Sequence, residues 1–453
     1  MISTMAERLD IMNAVSGVRV VDTHEHLMRE SDRLKMQADP LHVFLPHYLS
    51  SDLISSGMTL DELNSIRSVK TPLEERWQVF LPYWQKVENT GYAQAIKIAV
   101  KDLYGIDGFD SAAWKPLKEA MEKRQQAGFY RWVLRTKGGI EVSINDSLFT
   151  IDVESELQVP VMRFDNYATP LSRDDLATLS ARTGIPIHSM DDLLEALESE
   201  FAGIAKQIVG VKIGLAYQRT LNFEKVTYAE AEDVFNRIYR TRSFRRKEVM
   251  PYPAWPIGTY SPEGLSFDEA KPLQDHVVHR IIQLAERYAL PVQIHTGMQE
   301  GNENIVSNSN PTLLTDLIRE YKNVKFDIFH ASYPFARELA VLAKNFPNVY
   351  PDLCWVHILS PTAARAILSE WLDLVPSNKI LGFGGDYRFV EGVYGHVVLA
   401  RRNVAAVLEE KVASSEIELR QALYLSSRLL RENARELYGL AKDAGFASAS
   451  QVP

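Results

Sequence analysis

Two histidines stand two residues apart in Asp22-Thr23-His24-Glu25-His26, at the end of a valine-rich run. If that run, 19–26 (RVVDTHEH), is a strand, side-chain alternation puts both imidazoles on one face. Two imidazoles so placed can hold one divalent ion, although a pair of strand histidines is also compatible with ordinary packing. Three more residues of ligand chemistry stand in matching positions. His295 ends PVQIH, His330 ends VKFDIFH and Asp386 ends KILGFGGD, each before a polar or glycine-containing loop. Four histidines and one aspartate at equivalent strand ends are hard to explain by packing alone. They are expected to meet around a metal.

A second tier of residues is basic. Arg163, Arg219 and Arg388 follow three other candidate strands, and arginine suits a bidentate grip on a carboxylate. Together they point to a small anionic substrate. Lys212, inside GVKIGL, is expected to face a barrel interior or the substrate, where it must find a partner or lose its charge. Cys354 reads as a small core residue. There is no G-x-G-x-x-G, Walker A or G-x-S-x-G pattern, so nothing points to a phosphate-binding loop or a serine nucleophile elbow.

The elements that must position these groups alternate regularly. Strand candidates at 19–26, 139–145, 159–164, 208–215, 291–295, 324–330, 348–355 and 379–386 are separated by helical patterns. Strand, helix, strand at this spacing means parallel βαβ units, and eight of them close a (β/α)8 TIM barrel. Chemistry in such a barrel sits at the carboxyl ends of the strands. Residues 28–130 read as a helical insertion in the first βα loop, within one domain spanning 1–453. Helices are expected at 60–66, 71–85, 92–104, 112–128, 274–288, 311–320, 334–345, 360–374 and 415–438. The proline- and aromatic-rich stretch 244–268 reads as an ordered loop that could cap the barrel mouth.

Composition excludes other classes. The 453 residues include one cysteine, which rules out a disulfide framework and a cysteine-rich zinc module. Lys plus Arg is 50 and Asp plus Glu is 59, a net charge of −9, which argues against a nucleic-acid or anionic-membrane binder. The first residues show no signal-peptide pattern and no apolar run is long enough to span a bilayer. A cytoplasmic enzyme is expected, with homo-oligomerisation possible in principle.

The H-x-H of strand one, the histidines of strands five and six and the aspartate of strand eight together resemble the amidohydrolase superfamily over most of the chain. That resemblance implies a divalent metal, Zn2+ first with Mn2+ or Fe2+ also suited, held by His24, His26, His295 and Asp386. It implies Asp386 and His330 as catalytic groups, Asp386 passing the proton of a metal-activated water and His330 polarising the substrate carbonyl or steadying the oxyanion. The segments Pro46-His47-Tyr48 and Asp386-Tyr387-Arg388 are similar to stretches of the uronate isomerases, which implies His47, Tyr48 and Arg388 at the substrate. Those enzymes carry an Arg soon after the fifth-strand His, whereas here the loop reads Thr296-Gly297-Met298-Gln299-Glu300-Gly301-Asn302. The HTG, FHASYP and NVYPDL strings look like the amidohydrolase 2 branch that includes the N-terminal region of fungal FluG. Hydrolysis of a small carboxylate-bearing substrate is the expected activity. Uronate isomerisation or metal-dependent decarboxylation on the same site is the alternative.

Overall fold

Seven strands pair in parallel and in sequence order: β1 Val20–Glu25, β2 Ile140–Asp146, β3 Gln158–Arg163, β4 Gly210–Ile213, β5 Val292–Ile294, β6 Phe326–Ile328 and β7 Val349–Pro351. The computed structural model describes residues 5–241 and 265–440. Most of the 244–268 stretch expected over the mouth lies outside the described residues, as does the C-terminal 441–453 segment. All seven strand candidates through β7 are found, the later ones shorter than the sequence pattern implies.

The eighth candidate does not form a regular strand. Residues 380–387 lie between β7 and β1, with one bridge between Asp352 and Leu381. Backbone bonds still attach the segment on both sides. Leu381 and Gly384 carbonyls accept from Leu353 and Trp355, and Thr23 donates to Phe383. Asp386 N–H donates to the His24 carbonyl at 2.8 Å and His26 N–H to the Tyr387 carbonyl at 2.9 Å. The irregularity has a steric cause. A Cβ on Gly385 would lie 1.7 Å from Glu25 Oε1, and one on Gly384 2.6 Å from Thr23 Oγ1. Only glycine lets this segment approach β1 so closely.

The interior of the barrel is polar. Register pairs Arg163 with Lys212, Lys212 with Gln293 and Gln293 with Asp327. Paired residues in a parallel ladder point to the same side, so these form one inward layer. The intervening Val211, Ile213, Val292, Ile294, Phe326 and Ile328 are fully buried against the helices. Burial on both faces explains why the strands read as almost continuous apolar runs.

Between β1 and β2 the chain is helical, with helices Pro40–Phe44, Leu49–Ser55, Leu60–Arg67, Leu73–Val87, Gly91–Tyr104 and Trp114–Arg124. Thr59 and Glu62 cap Leu60–Arg67 reciprocally. The Gly91–Tyr104 helix packs on a 24-residue helix, Val390–Ala413, which follows the eighth segment. A Cβ on Gly395 would come within 2.0 Å of the Ala95 carbonyl, so the two backbones nearly touch. The single helix expected at 415–438 is instead Leu419–Ser427, a wider turn at Arg428–Glu432 and Asn433–Leu437.

Candidate metal centre

The ends of β1, β5, β6 and the eighth segment deliver His24, His26, His295, His330 and Asp386 to one place. His24 Nε2 is 3.6 Å and His26 Nε2 3.4 Å from Asp386 Oδ1, and His330 Nε2 is 3.8 Å from Asp386 Oδ2. The His24 and His26 rings lie 4.7 Å apart at 81°. His330 Nε2 is 3.0 Å from His295 Nδ1. Among the described residues, two groups bring ligand atoms within 4.8 Å of one another: His24 with His26 and Asp146, and His330 with Cys354 and Asp386.

Proton placement decides what this cluster can bind. A carbonyl oxygen only accepts. His26 Nδ1 faces the Asp146 carbonyl at 2.8 Å, His330 Nδ1 the Cys354 carbonyl at 3.2 Å, and His295 Nε2 the Met298 carbonyl at 3.1 Å. Each of those nitrogens must carry the proton. The inward nitrogens of His26, His330 and His295 then present lone pairs, and Asp386 adds a carboxylate. The centre is a set of acceptors facing one another. Burial, as the largest influence, pushes the four imidazoles well below the ordinary histidine range. Neutral imidazole is the form that binds metals. Donor atoms around one tetrahedral zinc stand about 3.4 Å apart, close to the His24 and His26 separations from Asp386. The residues fit a divalent cation.

The same proton count alters one expectation. His330 was expected to polarise a carbonyl, which needs a proton on its inward nitrogen. Here that proton is on Nδ1, bonded to Cys354.

Asp386 is held firmly. Its φ is 59°, in the left-handed region, and His330, Ala331, Ser332, His47 and Trp355 around it share that region. Such conformations persist only where the surroundings over-determine them, and they gather at functional sites. Burial pushes the Asp386 carboxyl up to about 6, with Lys212 opposing. Lys212 is fully buried, its ammonium 3.5 Å above the Phe329 ring with no hydrogen-bond partner. Burial, aided by Arg163, brings it down to about 8.

The expected substrate contacts divide. His47 joins the site: it is buried, its ring is 6.0 Å from that of His26, and its Nδ1 has no partner. Tyr48 is engaged by the protein itself: its hydroxyl donates to the Asp386 carbonyl at 2.5 Å, and its ring stacks on both Tyr92 and Trp355. Arg163 lies beneath the mouth, Nε donating to Asp146 at 2.5 Å. Arg388 is half-buried and near enough for its charge to act on His26 and His47. Arg219 is elsewhere. It pairs with Asp275 at 2.6 Å and donates to Gln274 and to the Thr220 and Asn222 carbonyls. That guanidinium is committed to a buried ion pair with the Phe267–Arg287 helix.

Three neighbours of the centre were not singled out from the sequence. Asp146, the last residue of β2, orients His26 through its carbonyl; its position at a strand end was the signal. Trp355 stands 5.2 Å from the His330 ring. Tyr217 lies 4.6 Å from that of His295. Cys354 is buried beside the centre, its thiol pushed well up by burial and then by Asp386, so it stays protonated and is a poor ligand.

Known proteins share this architecture. The Amidohydrolase family model matches residues 264–440. Protein fluG of Emericella nidulans is 27% identical over 370 residues, covering 75% of this chain and 40% of its own length. The chain thus spans well under half of that relative. A uronate isomerase of Cutibacterium acnes is 21% identical over 97% of this chain and 96% of its own. The crystal structure of a uronate isomerase from Thermotoga maritima superposes with a TM-score of 0.76 at 15% identity, over 96% of this chain and 98% of that one. The fold is a TIM barrel, and its part from 264 to 440 matches the Amidohydrolase family. Over longer stretches the chain is similar to a uronate isomerase and to FluG. No helix among the described residues is long and apolar enough to cross a membrane.

Proposed function

We propose that the chain is a metal-dependent hydrolase acting on a small carboxylate-bearing substrate. The observation that carries the reading is the all-acceptor centre: inward lone pairs of neutral imidazoles around one aspartate, a donor set that a divalent cation would satisfy. His24, His26, His295 and Asp386 would hold the ion, Zn2+ first, with Mn2+ or Fe2+ also suited to these donors. A divalent ion there supplies Lewis acidity toward a substrate oxygen and acidifies water.

The chain's own groups supply the rest. Asp386, which would stand beside the ion, is placed to take a proton from an attacking water and return it to the leaving group. His330, with its lone pair inward, acts as a further ligand or acceptor. Arg388 and His47 border His26 and are the groups proposed to meet the substrate carboxylate. Lys212 and Arg163 lie below and keep the centre electropositive, while Arg219 has no part.

Uronate isomerisation is the second reading, favoured by a full-length match to a uronate isomerase. The test is turnover by the metal-loaded protein of N-acyl amino acids and lactones against uronates. Hydrolysis lost with chelator and restored by Zn2+ is the expected result. Turnover of uronates alone would sink the hydrolase reading in favour of the isomerase.

A further inference from the structure

The β5 loop carries a carboxylate that the metal centre does not use. Glu300 lies five residues past His295 and is 6% exposed. Its Oε1 has no hydrogen-bond partner among the described residues. Burial pushes the carboxyl well above its ordinary range, against the pull of Arg67 from the Leu60–Arg67 helix.

The loop is built to hold this residue. Glu300 N–H donates to the Tyr217 hydroxyl at 3.2 Å. Asn304 Nδ2 donates to the carbonyls of Gln299, Glu300 and Gly301. Gln299 Nε2 donates to the Ala216 carbonyl and Asn302 Nδ2 to that of Ser51. The loop is thereby anchored to the end of β4 and to the Leu49–Ser55 helix.

Glu300 stands on the β5 side of the mouth, where its N–H meets the Tyr217 hydroxyl. Tyr217 in turn packs against His295. A buried carboxylate oxygen without a donor is costly, and a chain that keeps one at a rigid loop beside a catalytic centre has a use for it. Carboxylates accept and do not donate. The arginine-lined side, Arg163 and Arg388 near His26, suits the opposite sign.

We infer that Glu300, flanked by Tyr217 and Arg67, forms a second polar subsite on the β5 side of the mouth, which takes a hydroxyl or protonated amine on the substrate. The substrate is then an acid carrying a hydrogen-bond donor at its far end. This rests on the proposed metal centre for where the reacting end lies.

The test titrates the full-length, metal-loaded protein with matched short-chain acids by ligand-observed NMR: unsubstituted, ω-hydroxy and ω-amino. A donor-bearing acid should bind roughly tenfold tighter than its unsubstituted match. Glu300→Leu should erase that difference without weakening the unsubstituted acid. Glu300→Gln separates the two donors, since the hydroxyl advantage survives it and the ammonium advantage does not. Thermal unfolding excludes a scaffolding role. Replacing a buried carboxyl whose Oε1 is unpaired leaves Tm unchanged or higher in Glu300→Gln, whereas a lower Tm with unchanged selectivity overturns the inference. So does equal binding of the matched acids, or binding of none. Failure of the metal centre reads differently, as protein that takes up no Zn2+; the donor preference is measured with and without chelator.

Discussion

Tyr48 serves the centre through the backbone of Asp386. Its hydroxyl meets the Asp386 carbonyl, and its ring stacks on Tyr92 and Trp355 at 18° and 20°. Tyr48→Phe keeps the stack and removes only the bond. Loss of such a supporting contact typically weakens a metal site about 10–100-fold. Zn2+ affinity, measured by chelator competition, is expected to fall by that order while Tm moves little. Unchanged affinity would return Tyr48 to a packing role. The chemistry of His24, His26, His330 and Asp386 was legible in the sequence because a period of two and a strand-end position suffice to gather them. The fates of Tyr48 and Arg219 were not. Their partners, Asp386 and Asp275, are 338 and 56 residues away, and only the fold decides which charge or carbonyl a mouth-bound side chain meets first.

Among the elements, the amphipathic helices of the 28–130 stretch could be placed from their apolar spacing, but the long Val390–Ala413 helix could not. It is buried on nearly every side, Val390 through Lys411, so it lacks the polar stripe by which a surface helix is recognised. Its docking onto the eighth segment depends on His357. Nε2 of His357 donates to the Gly382 carbonyl at 3.0 Å, and Nδ1 accepts from the Asn403 amide at 3.3 Å. Arg365 donates to Asn403 Oδ1 and so fixes that amide's orientation. A second proton on the ring would face an N–H. Burial accordingly brings His357 down to about 4, with the Gly382 carbonyl opposing. The folded protein thus stays unprotonated here down to about pH 4, while the unfolded chain takes up the proton near 6.5. Acidification through that window favours unfolding, by up to roughly 3 kcal/mol. Urea unfolding of wild type and His357→Gln at several pH values isolates this group. Wild type should lose stability relative to the variant between pH 6.5 and 4. Parallel pH profiles for the two proteins would refute the argument.

At the scale of the whole molecule, the net charge of −9 is compatible with an acidic substrate, because Arg388 borders the centre and Arg163 and Lys212 lie beneath it. The opposite end of the barrel is closed by the last helix. Tyr438 follows Asn433–Leu437 and enters the floor, where its hydroxyl donates to Asp327 and accepts from Gln293 Nε2 at 2.8 Å. Gln293 Nε2 also donates to the Thr23 carbonyl, and Thr23 Oγ1 donates to Asp352 at 2.6 Å. Asp352 accepts from Cys354 N–H, whose carbonyl receives the His330 proton. One hydrogen-bonded path therefore runs from the C-terminal plug to the metal centre. In such barrels the floor carries stability and the mouth carries chemistry, and the path makes that division testable. Tyr438→Phe leaves Asp327 without its hydroxyl donor inside a low-dielectric core, a cost of about 1–3 kcal/mol. Tm should drop by a few degrees, with Zn2+ affinity preserved because no ligand has moved. Tyr48→Phe should do the reverse, sparing Tm and losing affinity. If Tyr438→Phe also weakens Zn2+ binding, floor and mouth form one coupled network, and the plug positions the metal ligands as well as sealing the barrel.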